Sequence, residues 1–227
     1  MTKQTFVLIS FFAVLFLFTN ALAQFSDYPR TVIDGAGREL VLESRPERLV
    51  TYYNDSFGML ATLGVMPVAQ SVNPEILVDP IYFGEAGANI TTIPYADSPD
   101  LEAVVAAEPD LVFVNSEEEA QALEGLATAF VTPDPATLEE LYDAVRLYGR
   151  VLGKEAEAEA AVTAFQNRLN AYAKANTANA ETTILKLASY EGEFSVATTG
   201  DPVCQMLEVV ARCPWQSASP DEGWGYE

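Results

Sequence analysis

A chain of 227 residues in which 33 Asp and Glu face 12 Lys and Arg carries a formal charge of −21, which repels nucleic acid and anionic membrane surfaces. An apolar content of 49% excludes a disordered acidic tail. The absence of histidine removes the commonest ligand for zinc, copper or iron and the commonest general base.

Residues 1–23 predict a cleaved export signal. Lys3 gives the positive start, Phe6 to Phe18 the apolar stretch, and Ala21-Leu22-Ala23 the small-x-small cleavage pattern. The apolar run falls short of the ~20 residues that a membrane span needs. No cysteine follows the cleavage pattern, so no lipid anchor is expected there. Cleavage leaves 204 residues (227 minus 23), enough for one large or two small domains, and the loss of Lys3 brings the charge to −22. The acid is unevenly spread: Leu49 to Val145 holds 17 Asp or Glu and no Lys or Arg.

Beyond the leader, TVIDGAGRELVL alternates loosely around a Gly-Ala-Gly turn and predicts a short hairpin. Leu49 to Tyr53 is a β-branched and aromatic run that predicts a strand. Asn54 or Asp55 can then cap a helix with Phe57, Leu60 and Ala61 at helical spacing, and Gly64 supplies a left-handed stop. Val65 to Ala69 begins the next strand. The stretch SPDLEAVVAAEPDLVFVNS, residues 98–116, is a second such unit. Ser98 caps, Pro99 takes the first helical position, and Asp100 and Glu102 complement the helix dipole. Leu101, Val104 and Val105 form its buried stripe, and Pro109 ends it. Leu111 to Val114 is apolar on both faces, as in a covered parallel sheet. Glu117 to Leu126 reads as a helix and Ala129 to Thr132 as a strand. Such alternation predicts an α/β sheet with helices on both faces.

From Thr137 the pattern changes. Thr137-Leu-Glu-Glu140 is a capping box opening a helix to Leu152, with a break at Gly153. Residues 154–174 then run almost without a breaker, rich in alanine, and predict a rod of ~30 Å at ~1.5 Å per residue. After a loose NTANAETT, the sequence from Ile184 reads strand, turn, strand, then helix from about Asp201. The expected organisation is a first α/β lobe over 24–136, a helical segment over 137–176, and the start of a second, incomplete lobe over 177–227.

TVIDGAGRELVLESRPERLVTYY resembles the D-x-x-G-R … P-x-R-V-V opening of periplasmic solute-binding proteins for ferric siderophores, haem and cobalamin. SPDLEAVVAAEPDLVFVNS is similar to their N-L-E-x-I-x-A-L-x-P-D-L-V segment, TTGDPVCQMLEVVA to the start of their second lobe, and GWGYE to the run into its next helix. The resemblance implies two three-layer α/β lobes joined by one rigid helix, a ligand in the cleft between them, a periplasmic location, and an inner-membrane ABC permease that receives the loaded monomer. It also implies a docking role for Glu102 against arginines of the permease.

In open α/β sheets ligands sit beyond the carboxyl ends of the strands. That rule nominates Tyr52, Tyr53, Asn54, Asn115 and Ser116 in the first lobe, and Tyr190, Glu191 and Phe194 around the first strand–turn of the second. Aromatic rings would give a flat macrocycle or an organic chelate broad contact, with amides and hydroxyls fixing its orientation. Asn115 and Ser116 serve equally well as turn and cap formers, and Tyr52 as a packing residue. Burying a polyanionic catecholate needs Arg or Lys, of which Leu49 to Val145 holds none, so a neutral or cationic ferric chelate of hydroxamate type, or cobalamin, is the expected ligand. The chain shows no G-x-S-x-G elbow, P-loop or Rossmann fingerprint, so no enzyme and no resident cofactor or metal is expected. A sensor domain of the same fold is the alternative.

Cys204 and Cys213 would stand ~13.5 Å apart on one straight helix, beyond the ~7 Å that a disulfide allows. A bond between them requires the helix to stop by Ala211 and the chain to turn back, which Pro214 favours.

Overall fold

The computed structural model describes residues 28–71, 74–94, 100–176, 182–190, 193–208, 211–215 and 224–226. A hairpin of β1 (Arg30–Ile33) and β2 (Glu39–Leu42) comes first. Then β3 (Leu49–Thr51), α1 (Asn54–Thr62), β4 (Ala69–Gln70), α2 (Pro74–Leu77), a 3-10 turn (Gly84–Asn89) and β5 (Thr91–Thr92) follow. The first lobe continues with α3 (Leu101–Ala106), β6 (Leu111–Val114), α4 (Glu117–Ala122) and β7 (Ala129–Val131). Its strands form one parallel sheet in the order β5-β4-β3-β6-β7.

Period-two alternation splits the apolar strand residues between two faces. Leu49, Leu111, Phe113 and Phe130 pack against Leu60 of α1, Leu63 just past its end, and the end of a later helix; Val50, Val112, Val114 and Val131 pack against Val104 of α3 and Ala120 of α4. All four residues of β6 are buried, as the unbroken apolar run predicts for a strand covered on both sides.

Both resemblance motifs are structural fastenings. The buried Asp34 accepts from the Ala36 and Arg38 amides at 3.1 and 2.9 Å and from the Arg38 guanidinium at 2.9 and 2.7 Å. It also accepts from the Val131 amide at 3.1 Å, so the hairpin turn covers the outer edge of β7, which would otherwise offer unpaired backbone groups. At the amino ends of β3 and β6, Asp110 accepts from the Glu47 and Arg48 amides at 2.7 and 3.0 Å. Arg48 in turn donates to Glu108 and Ala107 carbonyls at 2.7 and 2.6 Å, closing the last turn of α3. The P-x-R and P-D-L segments are thus one hydrogen-bonded unit.

α5 (Leu138–Leu152) opens on the predicted Thr137–Glu140 capping box and closes on Gly153 in the left-handed region at φ 61°. Tyr28 donates to the Val151 carbonyl at 2.8 Å, Arg45 to Leu152 and Gly153 at 2.8 and 2.6 Å, and Arg30 to Arg150, satisfying the carbonyls that a helix end leaves open. The long helix α6 (Glu155–Ala175) returns alongside α5, joined to it by Arg146–Glu159 at 2.9 Å. The predicted rod is therefore real but not isolated, since its first half packs on the first lobe through Ala158 and Val162.

Beyond α6, β8 (Leu187–Tyr190), β9 (Glu193–Ala197) and β10 (Trp224–Tyr226) form an antiparallel sheet in the order β10-β9-β8, with α7 (Pro202–Leu207) following β9. Asp201 caps α7 through the Val203 and Cys204 amides at 2.8 and 3.1 Å and pairs with Lys186 at 2.8 Å. Because α7 stops at Leu207, the chain turns back and Cys204 bonds Cys213 with Cα atoms 5.8 Å apart. The α7 residue Gln205 accepts from the Leu138 amide at 2.7 Å, tying this second part to the open start of α5.

Several local expectations are corrected. The cap of α3 is Asp100, whose carboxylate accepts from the Ala103 amide at 3.0 Å; Ser98 and Pro99 lie outside the described residues. Val105 is exposed, because six residues of helix present too narrow a face to bury three side chains. Tyr53 occupies the cap position of α1 without a side-chain bond to the helix's own amides, so neither Asn54 nor Asp55 caps it. The strand expected from Val65 begins only at Ala69, and the helix from Glu117 ends at Ala122. Trp224–Tyr226, expected to lead into a helix, pairs as a strand with β9.

Candidate functional site at the carboxyl edge of the sheet

Every strand of the first sheet points the same way, so Tyr52–Tyr53, Asn115–Ser116 and Thr132 share one edge. From β3 the chain moves outward to β4 and β5, then crosses to β6 on the other side. The β3/β6 gap is therefore the topological switch point, where open α/β sheets leave a crevice.

One side chain organises that gap. Glu119 accepts the Tyr53 hydroxyl on one oxygen and the Asn115 and Ser116 amides on the other, at 2.8 and 3.2 Å. Ser116 completes a capping box by accepting from the Glu119 amide at 3.2 Å. Thr132 donates to the Asn115 side-chain carbonyl at 2.9 Å, so the tips of β3, β6 and β7 form one chain of hydrogen bonds.

Beside these tips opens a cavity of about 710 Å³. Its walls are α1, α5 and α6, with Ile81 and Tyr82 on one side and Thr132–Pro135 beside β7. Tyr142 and Phe165 meet across α5 and α6 with ring centroids 6.1 Å apart. Tyr148 forms its floor, donating to Ser56 at 3.1 Å and stacking on Phe113 at 5.1 Å. Burial pushes the Tyr148 phenol well above its ordinary value, opposed by the Ser56 bond; burial and then Glu139 raise that of Tyr142. Among the described residues, no Lys or Arg lines the cavity.

The nominated residues fall in different places. Tyr53 is half-buried at the switch point; Asn54, Asn115 and Ser116 are exposed on the edge, and Asn54 also lines the cavity. Tyr52 is fully buried among Val50, Val112 and Val114, its ring 5.3 Å from that of Tyr53, and burial raises its pKa. Its side chain is sealed within that apolar cluster. Ser116 is the cap of α4. Tyr190 ends β8 and Phe194 lies in β9, while Glu191 is outside the described residues. Glu102 is exposed in the first turn of α3.

Sequence reasoning missed Glu119 and the aromatic wall of Tyr82, Tyr142 and Phe165. The Ser116-x-x-Glu119 spacing was a capping-box signal for the former. The wall is drawn from three distant segments and has no local signal. Among the described residues no group of acidic or cysteine side chains is placed to hold a metal, and no helix is long and apolar enough to cross a membrane.

A parallel sheet with a site at its switch point, a long helix behind it and a second α/β part beyond defines a ligand-binding fold of the two-lobed type. Residues 49–227 match the family model described as periplasmic binding protein, and the chain belongs to that family. No curated protein matches in a sequence search. Among solved structures, holo-ViuP superposes with a TM-score of 0.67 at 19% identity over 85% of this chain and 69% of its own. The siderophore-binding protein FhuD from Vibrio cholerae, solved with Fe3+–Desferal, gives 0.66 at 16% identity over 80% and 72%. An ABC-type Fe3+-hydroxamate transport protein from Saccharomonospora viridis gives 0.65 at 20% identity over 88% and 74%. The matched family is one of periplasmic binding proteins, which implies a location outside the cytoplasmic membrane.

Proposed function

We propose that this chain is an exported periplasmic carrier, released from its 1–23 leader, that holds an iron–siderophore-type chelate and hands it to an ABC importer. The observation that carries this is the family match together with solved neighbours that bind iron chelates. In this account the chelate lies on Tyr53, Asn54, Asn115 and Ser116, opposite the β8–β9 turn with Tyr190, Glu191 and Phe194. From Leu49 onward the first lobe offers acceptors and aromatic surface and no Lys or Arg, which suits a neutral or cationic hydroxamate complex over a polyanionic catecholate. Exposed Glu102, on the same lobe, is the acid that meets basic residues of the permease; the carrier works as a monomer and needs no cofactor.

Tryptophan-fluorescence titration with a ferric trihydroxamate, a ferric catecholate and cobalamin tests the reading. A saturable change with one trihydroxamate per chain, tighter than for the catecholate and with the ligand recovered unaltered, is expected. Silence with every ligand, or turnover of one, overturns it.

A further inference from the structure

Resting on that function, we propose that the cavity between α1, α5 and α6 is a subsite for a neutral apolar arm of the chelate, an alkyl or aryl chain attached to the metal-binding head. Its volume of about 710 Å³ falls within the roughly 300–1,000 Å³ of small-molecule sites. It is far larger than the water-sized voids that packed interiors leave. The wall is built from stiff rings: Tyr142 and Phe165 face each other across two helices, and Tyr82 closes a third side.

Continuity with the strand tips identifies the occupant. Asn54, one residue past Tyr53, lies in the lining, and so does Thr132, whose hydroxyl holds Asn115. A head group seated on the tips would therefore have the cavity mouth beside it. Charge narrows the class further. Among the described residues, the ionisable carboxylates of the lining are Asp55 and Asp134, unopposed there by any Lys or Arg. A fatty carboxylate would meet repulsion, whereas an uncharged chain would not.

The test compares a ferric trihydroxamate with the same chelate N-octanoylated, by calorimetry on the whole chain. Each methylene taken from water multiplies affinity about fourfold. Burial of even part of the arm should thus make the acylated chelate more than about tenfold tighter. Ala161→Phe, which projects a ring from α6 into the space, should remove that advantage while leaving the parent chelate's affinity unchanged. Gly58→Leu is the second filling variant, because a Cβ there meets only the Tyr82 ring, at 3.7 Å. Either variant serves if its thermal unfolding matches the parent.

Equal affinity for the two chelates, or an acyl advantage that survives both fillings, overturns the subsite and leaves the carrier function standing. Sodium octanoate binding as tightly as the acylated chelate overturns it too, assigning the cavity to free fatty acids. Failure of both chelates to bind overturns the carrier function and the subsite with it.

Discussion

Asp34 and Glu119 are two carboxylates with different duties in a chain rich in them. Asp34 is sealed from water and fully hydrogen-bonded, holding the hairpin turn to β7. Asp34→Ala strands three amides and the Arg38 guanidinium, which keeps some access to solvent. Loss of one partner of a buried pair costs about 3–5 kcal/mol, and we expect the lower end, near 3 kcal/mol, in urea unfolding. Glu119 instead sits at the carboxyl edge of the sheet, where it commits the Tyr53 hydroxyl and two amides to one geometry. Tyr148 allows a pH prediction. Its folded pKa lies above the unfolded value of 10.0, so the folded state holds the proton longer. Its stabilising contribution is full below pH ~10 and is lost as pH rises toward the folded value. Tyr148→Phe should therefore flatten the decline of stability above pH 10, measured as denaturation midpoint against pH. An unchanged slope would place the alkaline sensitivity elsewhere.

Among the elements, α5 and α6 show what composition alone reveals. Residues 154–174 were legible as one long helix because alanine and charged residues run there without a breaker, and the observed bounds differ by one residue. What composition hid is how closely the pair packs. A Cβ on Gly149 would lie 2.6 Å from that of Ala158 and 3.1 Å from the Lys154 carbonyl, so this glycine sets the distance between the helices. Gly149→Val should cost about 1–3 kcal/mol by overpacking, read as a lower midpoint of thermal unfolding. The strand–helix alternation of the first lobe was likewise legible, since β6 and its neighbours are apolar on both faces. Helix starts were harder: Asp100 and Ser98 are equally good caps, and tertiary context decides between them. Trp224–Tyr226 took their pairing with β9 from a partner 27 residues earlier, Trp224 lying opposite Ala197, which no local pattern records.

In the whole molecule, the family motifs and the proposed ligand edge lie at opposite ends of the sheet. The motifs that carry the resemblance fasten its amino ends and outer edge through Arg48, Asp110 and Asp34. They betray the fold while saying nothing of the cargo. The carboxyl edge combines tips that strand order foretold, such as Tyr53 and Asn115, with a wall from α1, α5 and α6 that only packing assembles. The central claim is that a ferric chelate rests on that edge. Amide hydrogen exchange with and without a ferric trihydroxamate tests it most directly. Slowed exchange at residues 52–54, 115–116 and 190–194, with the Arg48–Asp110 end unchanged, is the predicted result; protection confined to that amino end, or none at the tips under saturating ligand, would contradict it.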